Sequence, residues 1–89
     1  MNRQVWKFRV RRDRFIEMPR GAEIVDCGVQ ESIDESGVYV WAIIRPERDT
    51  ESRDLRYFAT GEPVPDDWSY VGTAATSDRH FVWHVFERR

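Results

Sequence analysis

Hydrophobic and polar positions alternate with a period of two along much of the chain. The alternation covers residues 6–10, 16–18 and 25–29. It is typical of strands that turn one face toward a core and the other toward water. Pro19 ends the second of these segments, because proline has no N–H to donate to a sheet ladder. The pattern therefore predicts three short strands in the first third of the chain.

Residues 38–44 differ, because they are apolar at both odd and even positions and rich in β-branched and aromatic side chains. Such a segment is typical of a central strand covered on both faces. Tyr39, Trp41 and Ile43 form one of its two stripes. A chain this small has little material to cover both stripes, so we expect the stripe with Tyr39 and Trp41 to contact a partner or a second copy.

The second half of the chain holds three more predicted strands, at residues 55–60, 70–75 and 81–86, with a turn at 76–79. Residues 47–54 are polar and leave a loop and a helical turn both open. No segment carries 3.6-residue periodicity over three turns, so little helix is expected. Short strands separated by turns predict an all-β, mainly antiparallel domain, a small sandwich or barrel of about six to seven strands.

Composition narrows the class of protein. The length of 89 residues fits a single domain spanning residues 1–89. One cysteine, Cys27, allows no intrachain disulfide and fits a reducing compartment. The chain has neither the roughly 18–20 apolar residues of a membrane span nor the pattern of a signal peptide. We therefore expect a soluble cytoplasmic protein with no membrane partner.

The loop at residues 61–67 is stiffened by Pro63 and Pro65, which fix the backbone φ angle. Asp66 and Asp67 follow and suit a cap or an Asx-type turn. As metal ligands or acid–base groups these carboxylates lack companions at a diagnostic spacing. We therefore expect a structured turn, with no metal and no cofactor.

The two histidines offer little catalytic chemistry. In a strand, His80 and His84 would lie on one face but roughly 13 Å apart, too far to share a metal ion. His84 fits a hydrogen-bonded sheet histidine better than a general base. Cys27 alternates with valines and fits a small buried hydrophobe. A triad of Cys27, His84 and an aspartate stays open, but no spacing proposes it. We predict no catalytic residues.

Arginines concentrate near the start of the chain beside Trp6, Phe8 and Phe15. Cationic grooves with stacking aromatic rings can bind single-stranded nucleic acid. Alternation instead places Trp6 and Phe8 on the face opposite Arg9 and Arg11, so we expect the rings in the core and the arginines in water. Together with the net charge of −2, this argues against a nucleic-acid partner.

Five segments together resemble a family of small uncharacterised proteins of tailed bacteriophages and prophages, known as a domain of unknown function. They are residues 16–24, 40–46, 60–67, 70–73 and 82–87. Glu62 stands where the family pattern often has histidine. The resemblance covers nearly the whole chain and implies a phage accessory protein in the host cytoplasm. It transfers no functional residue, because the family has no assigned activity.

These observations favour a non-catalytic protein that binds a host or phage protein. The alternatives are a homo-oligomer that holds a nucleotide-like ligand through Arg45 and Trp41, a minor virion component, and an enzyme that uses Asp66, Asp67 or His84. The candidate binding residues are Tyr39, Trp41, Arg45, Tyr57, Glu62, Asp66, Asp67, Trp68 and His84.

Overall fold

The computed structural model describes residues 2–32 and 36–88, which form eight antiparallel strands and contain no helix. In chain order the strands are β1 (Gln4–Val10), β2 (Ile16–Pro19), β3 (Glu23–Gln30), β4 (Gly37–Ile44), β5 (Thr50–Arg53), β6 (Leu55–Ala59), β7 (Trp68–Ala75) and β8 (Val82–Arg88). This confirms the predicted all-β, mainly antiparallel class. Among the described residues no helix is long and apolar enough to cross a membrane. The sequence also predicts an acidic loop at residues 31–37, and this segment lies partly outside the described residues.

The strands form two three-stranded sheets and one ribbon. The N-sheet has the order β1-β4-β3, the C-sheet has the order β6-β8-β7, and β2 pairs with β5 in the ribbon. The strand β4 is central in the N-sheet, as its apolar composition predicts. In the C-sheet the central strand is β8.

A single core joins the inner faces of both sheets. The even-numbered side chains of β4 point into it, and Leu55, Ala74 and Val85 enter from the C-sheet. The molecule measures 41 × 33 × 19 Å along its principal axes. The short dimension fits two layers, since stacked sheets lie about 10 Å apart. Trp6 is an exception to the predicted burial, because it lies near the end of β1, stays 40% exposed and donates its indole N–H to Gln4.

The two sheets meet most closely where β3 lies beside β7. A bulge between Tyr70 and Gly72 bends β7 at this seam. A Cβ atom added to Gly72 would lie 2.5 Å from Sγ of Cys27. A side chain at position 72 would therefore collide with the thiol of the neighbouring strand unless Cys27 shifted.

Residues 50–53 form a strand, which neither the loop nor the helical turn considered for this segment anticipated. Thr50 pairs with Pro19 and Arg53 pairs with Ile16. The segment is polar because the ribbon is only partly covered. Its conformation is fixed by a partner more than thirty residues away, which a local pattern does not show.

Arg53 links the ribbon to both of its neighbours. Its guanidinium makes a bidentate ion pair with Glu87 on β8, at 2.6 and 2.8 Å, and donates to the backbone carbonyl of Ala22 at 2.5 Å. The side chains of Arg53 and Glu87 are only 18% and 25% exposed. The bond to Glu87 raises the pKa of Arg53 above its ordinary value, although burial opposes this shift.

We expect Gly72→Ala to lower the free energy of unfolding by about 1–3 kcal/mol, because its methyl group overpacks the β3–β7 seam. Adding Cys27→Ala should recover part of this loss, since Cβ of residue 27 lies 3.8 Å from the added carbon. Urea unfolding of both single variants and the double variant measures the coupling. If the two substitutions changed the free energy of unfolding additively, the collision between residue 72 and the Cys27 thiol would be contradicted.

We expect Arg53→Lys to cost roughly 1–3 kcal/mol of stability, because lysine cannot keep the bidentate bond to Glu87 and the bond to Ala22 together. The matched control is Arg88→Lys, which weakens the exposed pair between Arg88 and Asp67. Its cost should stay below about 0.5 kcal/mol. Equal thermal unfolding midpoints for the two variants would show that Arg53 has no special role.

Candidate functional site

The face of the C-sheet that points away from the core carries aromatic side chains. Residues directly opposite each other in an antiparallel sheet share a face. Phe86 lies between Arg56 and Tyr70, and Trp68 pairs with Arg88. We call Phe58, Trp68, Tyr70 and Phe86 the outer aromatic face.

The rings of the outer aromatic face pack edge to face. The ring centroids of Phe58 and Phe86 lie 5.6 Å apart, and those of Tyr70 and Phe86 are also 5.6 Å apart. Trp68 contacts Phe58 at 5.7 Å, and the Arg56 guanidinium lies 5.7 Å from the Trp68 ring. Tyr70 remains 61% exposed. The face is thus a preorganised apolar surface with cationic neighbours.

His84 lies beside this face, in the middle of the C-sheet. Its Nε2 is 2.8 Å from the Thr60 hydroxyl and its Nδ1 is 3.2 Å from the Thr73 hydroxyl. Thr73 also contacts the Tyr70 hydroxyl at 2.6 Å. Both ring nitrogens are therefore engaged with hydroxyl groups, so the geometry favours a sheet histidine that fixes neighbouring side chains over a free general base.

Glu62 has a structural function in the loop that follows β6. Its carboxylate accepts the Ala59 N–H at 2.8 Å and pairs with the Arg12 guanidinium at 2.6 Å. Arg12 in turn lies 5.1 Å from the Tyr57 ring and 5.8 Å from the Trp83 ring. Because β1 and β6 share no ladder, this group of side chains connects the loop to the end of β1.

The two aspartates of the predicted turn have different surroundings. Asp67 accepts a hydrogen bond from Arg88 at 3.2 Å. The exposed Asp66 makes no hydrogen bond or ion pair within residues 2–32 and 36–88. The Trp68 N–H donates to the Pro65 carbonyl at 3.2 Å, which closes a turn immediately before β7. Trp68 begins β7, so Asp66 and Asp67 precede a strand and do not cap a helix.

Tyr39 and Trp41 lie on the outer face of the N-sheet, on the opposite side from the shared core. Tyr39 is only 6% exposed, and the Lys7 ammonium group lies 4.9 Å from its ring centroid. Trp41 packs beside Gly28, with ring atoms 3.6 Å from where a Cβ atom would lie. Neighbouring strands thus partly cover the stripe that was predicted to be exposed. The structure separates these two residues from Trp68 and His84.

Two of the concave sites lined by arginines lie at opposite ends of β1. A cleft of about 860 Å³ includes Arg9, Arg11 and Arg12, but Asp13 and Glu31 also line it. Its charges are therefore mixed, and Arg12 is already paired with Glu62. A smaller hollow of about 140 Å³ lies at the other end of β1, where Arg3, Arg20, Arg45 and Arg48 surround it with one carboxylate, Glu23.

Cys27 and His84 do not assemble a nucleophile and base. Cys27 packs against the shared core, whereas His84 lies on the outer face of the C-sheet. Burial, and then the carboxylate of Asp26, raises the pKa of the Cys27 thiol above its ordinary value. A raised pKa keeps the sulfur in the unreactive thiol form at neutral pH. In the described part of the chain no three His, Cys, Asp or Glu residues are placed to hold a metal ion.

Sequence reasoning identified Trp68 and His84 but missed Phe58, Tyr70 and Phe86. A usable signal was present, because residues 55–60 and 82–86 are apolar at both odd and even positions, as residues 38–44 are. The same argument that predicted two covered faces for β4 also applies to these strands. In the structure Phe58 and Phe86 on this second face are half-buried, and Tyr70 of β7 beside them is exposed.

These features define a small all-β domain with an aromatic outer sheet face. The chain belongs to the family described as domain of unknown function DUF7352, whose profile matches residues 1–89. A comparison with curated proteins and another with solved structures found no match.

Acid titration tests the role of Glu62. The Ala59 N–H first, and then Arg12, lower the pKa of Glu62 below its ordinary value. Its contribution to stability is present above the unfolded-state pKa of about 4.3 and is lost as the pH falls through the folded-state pKa. We expect Glu62→Gln to be less stable than wild type at pH 7, with the difference shrinking below about pH 4.3.

Thermal unfolding midpoints between pH 7 and about pH 3 measure this difference. Asp78 has a lowered pKa as well, chiefly because it accepts the His80 N–H, but it is retained in every variant. Glu47→Gln is the control, since exposed Glu47 has no hydrogen bond or ion pair with the described residues. A pH-independent difference between wild type and Glu62→Gln would contradict this role.

Proposed function

We propose that this protein is a non-catalytic phage accessory protein of the host cytoplasm, which binds a host or phage protein through its outer aromatic face. The observation that supports the proposal is the packed group of Phe58, Trp68, Tyr70 and Phe86 on the outside of the C-sheet. A large apolar group on a sheet surface is typical of an interaction site.

The composition of the face favours a protein partner. Tyrosine, tryptophan, phenylalanine and arginine are enriched in the centres of protein interfaces, where a few residues carry most of the binding energy. Tyr70 combines high exposure with a hydroxyl held by Thr73. Its ring is therefore oriented before binding, which reduces the entropy lost on association.

Nucleic acid fits the same face less well. Stacking of successive bases needs open ring faces. Here Phe58 and Phe86 contact each other at an interplanar angle of 90°, and Arg56 lies over the Trp68 ring. The rings therefore form one packed apolar surface and not a series of separate stacking platforms.

Substitution of Tyr70 tests the proposal. We expect wild-type protein recovered from infected host lysate to carry one partner at fixed stoichiometry in native mass spectrometry. Tyr70→Ala should reduce partner retention at least tenfold, which corresponds to about 1.4 kcal/mol of binding free energy. Its unfolding midpoint should change little, because the side chain is mostly in water.

The matched control is Phe15→Ala, because Phe15 is 58% exposed and lies outside the outer aromatic face. Retention of the partner should be unchanged in this variant. Absence of a stoichiometric partner would contradict protein binding, whereas equal retention by both variants would assign the contact to another surface. Assembly of the bare protein into particles would favour the virion role.

A further inference from the structure

Four arginines converge at one end of the N-sheet. Arg3 precedes β1, Arg20 lies in the turn between β2 and β3, and Arg45 and Arg48 lie in the turn that follows β4. They surround the hollow of about 140 Å³ together with Glu23. Four cationic groups and one carboxylate give this lining a net charge of +3, while the whole chain has a net charge of −2.

The arginines of the hollow are not neutralised by neighbouring carboxylates. Within residues 2–32 and 36–88, none of the four makes an ion pair, and Arg48 donates only to the Arg20 carbonyl, at 3.4 Å. Like charges brought together repel, and the repulsion is relieved when an anion lies between them. In the described part of the protein these four arginines have no paired carboxylate, and an anion bound in the hollow would reduce the repulsion between them.

Backbone hydrogen bonds hold the two turns that carry Arg20, Arg45 and Arg48. One turn closes through a hydrogen bond of 3.1 Å from Ala22 N–H to the Pro19 carbonyl, and the other through a bond of 3.1 Å from Arg48 N–H to the Arg45 carbonyl. The two turns are joined by a 2.7 Å bond from Arg20 N–H to the Asp49 carbonyl. The backbone that carries these three arginines is thus held by hydrogen bonds within the protein itself.

Gly21 provides the room that Arg48 needs. Its φ angle is +81°, and a Cβ atom there would lie 2.8 Å from Nη1 of Arg48. The Gly21 N–H is bonded to the Glu51 carboxylate at 3.1 Å, which holds this part of the turn. The positive φ angle therefore favours glycine at this position, and the absent side chain leaves space that the Arg48 guanidinium occupies.

The size and charge of the hollow identify the ligand class. Drug-sized ligands and cofactors occupy pockets of about 300–1,000 Å³, whereas this hollow of about 140 Å³ suits one small polyatomic anion. Guanidinium groups bind phosphate through paired N–H donors at fixed geometry. We propose that the hollow binds a dianionic phosphoryl group, either as inorganic phosphate or as the phosphate of a small monoester.

This inference is independent of the proposed protein partner, because the hollow belongs to the N-sheet and its turns. It also separates Arg45 from Trp41, which were considered together as a nucleotide site. Arg45 lines the hollow, whereas Trp41 lies four residues earlier on β4 and does not. The recognised element is therefore the phosphoryl group and not an aromatic base.

Isothermal titration calorimetry at low salt tests the proposal with inorganic phosphate, AMP and adenosine. Phosphate and AMP should bind, and adenosine should not. Arg3→Gln/Arg45→Gln should weaken binding at least tenfold without unfolding the protein, since neither side chain has a hydrogen bond or ion pair with the described residues. Raising the ionic strength should weaken binding as well.

The matched control is Arg9→Gln/Arg11→Gln, which removes two positive charges at the other end of β1 and should leave the affinity nearly unchanged. Tighter binding of AMP than of phosphate would identify an organic monoester, and equal binding would identify the anion itself. Equal losses of affinity in both double variants would overturn the proposal. So would the absence of binding at about 5 mM phosphate or AMP. If an oligothymidylate bound and neither phosphate nor AMP did, the proposal would be overturned in favour of a nucleic-acid backbone.

Discussion

The two sheets and the ribbon have separate hydrogen-bond ladders, so side chains must hold them in one arrangement. Arg53 does this most directly, because a single guanidinium contacts Glu87 of the C-sheet and the Ala22 carbonyl at the entry to β3. A small core supplies little stability beyond the entropy cost of folding. Non-directional apolar contacts leave the sheets some freedom to slide, whereas a bidentate pair adds geometric specificity. This linkage therefore acts with the shared core and the β3–β7 seam to set the relative placement of both outer faces.

Period-two alternation was sufficient to predict the fold class and most strands, since it reports which side of a strand is buried. The central position of β4 was predicted from its apolar residues at both odd and even positions. It gave no information on residues 50–53, whose polar ribbon depends on pairing with residues 16–19. It also could not show which apolar stripe is covered. Tyr39 is covered by Lys7 on the neighbouring strand, while Tyr70 lies on an equally apolar strand and remains exposed.

The candidate site was predictable only in part, for the same reason. Trp68 and His84 stand out as residue types, and both lie on the outer side of the C-sheet. In the sequence Phe58 and Phe86 look like ordinary core residues. The register shows that Phe58 pairs with His84 and that Phe86 pairs with Tyr70, which places both phenylalanines on the outer face. Glu62 was considered as a departure from a family histidine, yet its contacts with Arg12 and the Ala59 N–H are structural.

The net charge of the chain is a poor predictor of anion binding, because it does not show where the charged side chains lie. The net charge of −2 argued against a nucleic-acid partner. Within residues 2–32 and 36–88 four arginines have a carboxylate partner, and these pairs are Arg12–Glu62, Arg53–Glu87, Arg56–Asp54 and Arg88–Asp67. Arg3, Arg20, Arg45 and Arg48 are among the arginines outside these pairs, and they form a concentrated positive region on a chain that is acidic overall. Salt screens the interaction between exposed charges beyond about 8–10 Å. A ligand in the hollow therefore responds to these four arginines and not to the net charge of the chain.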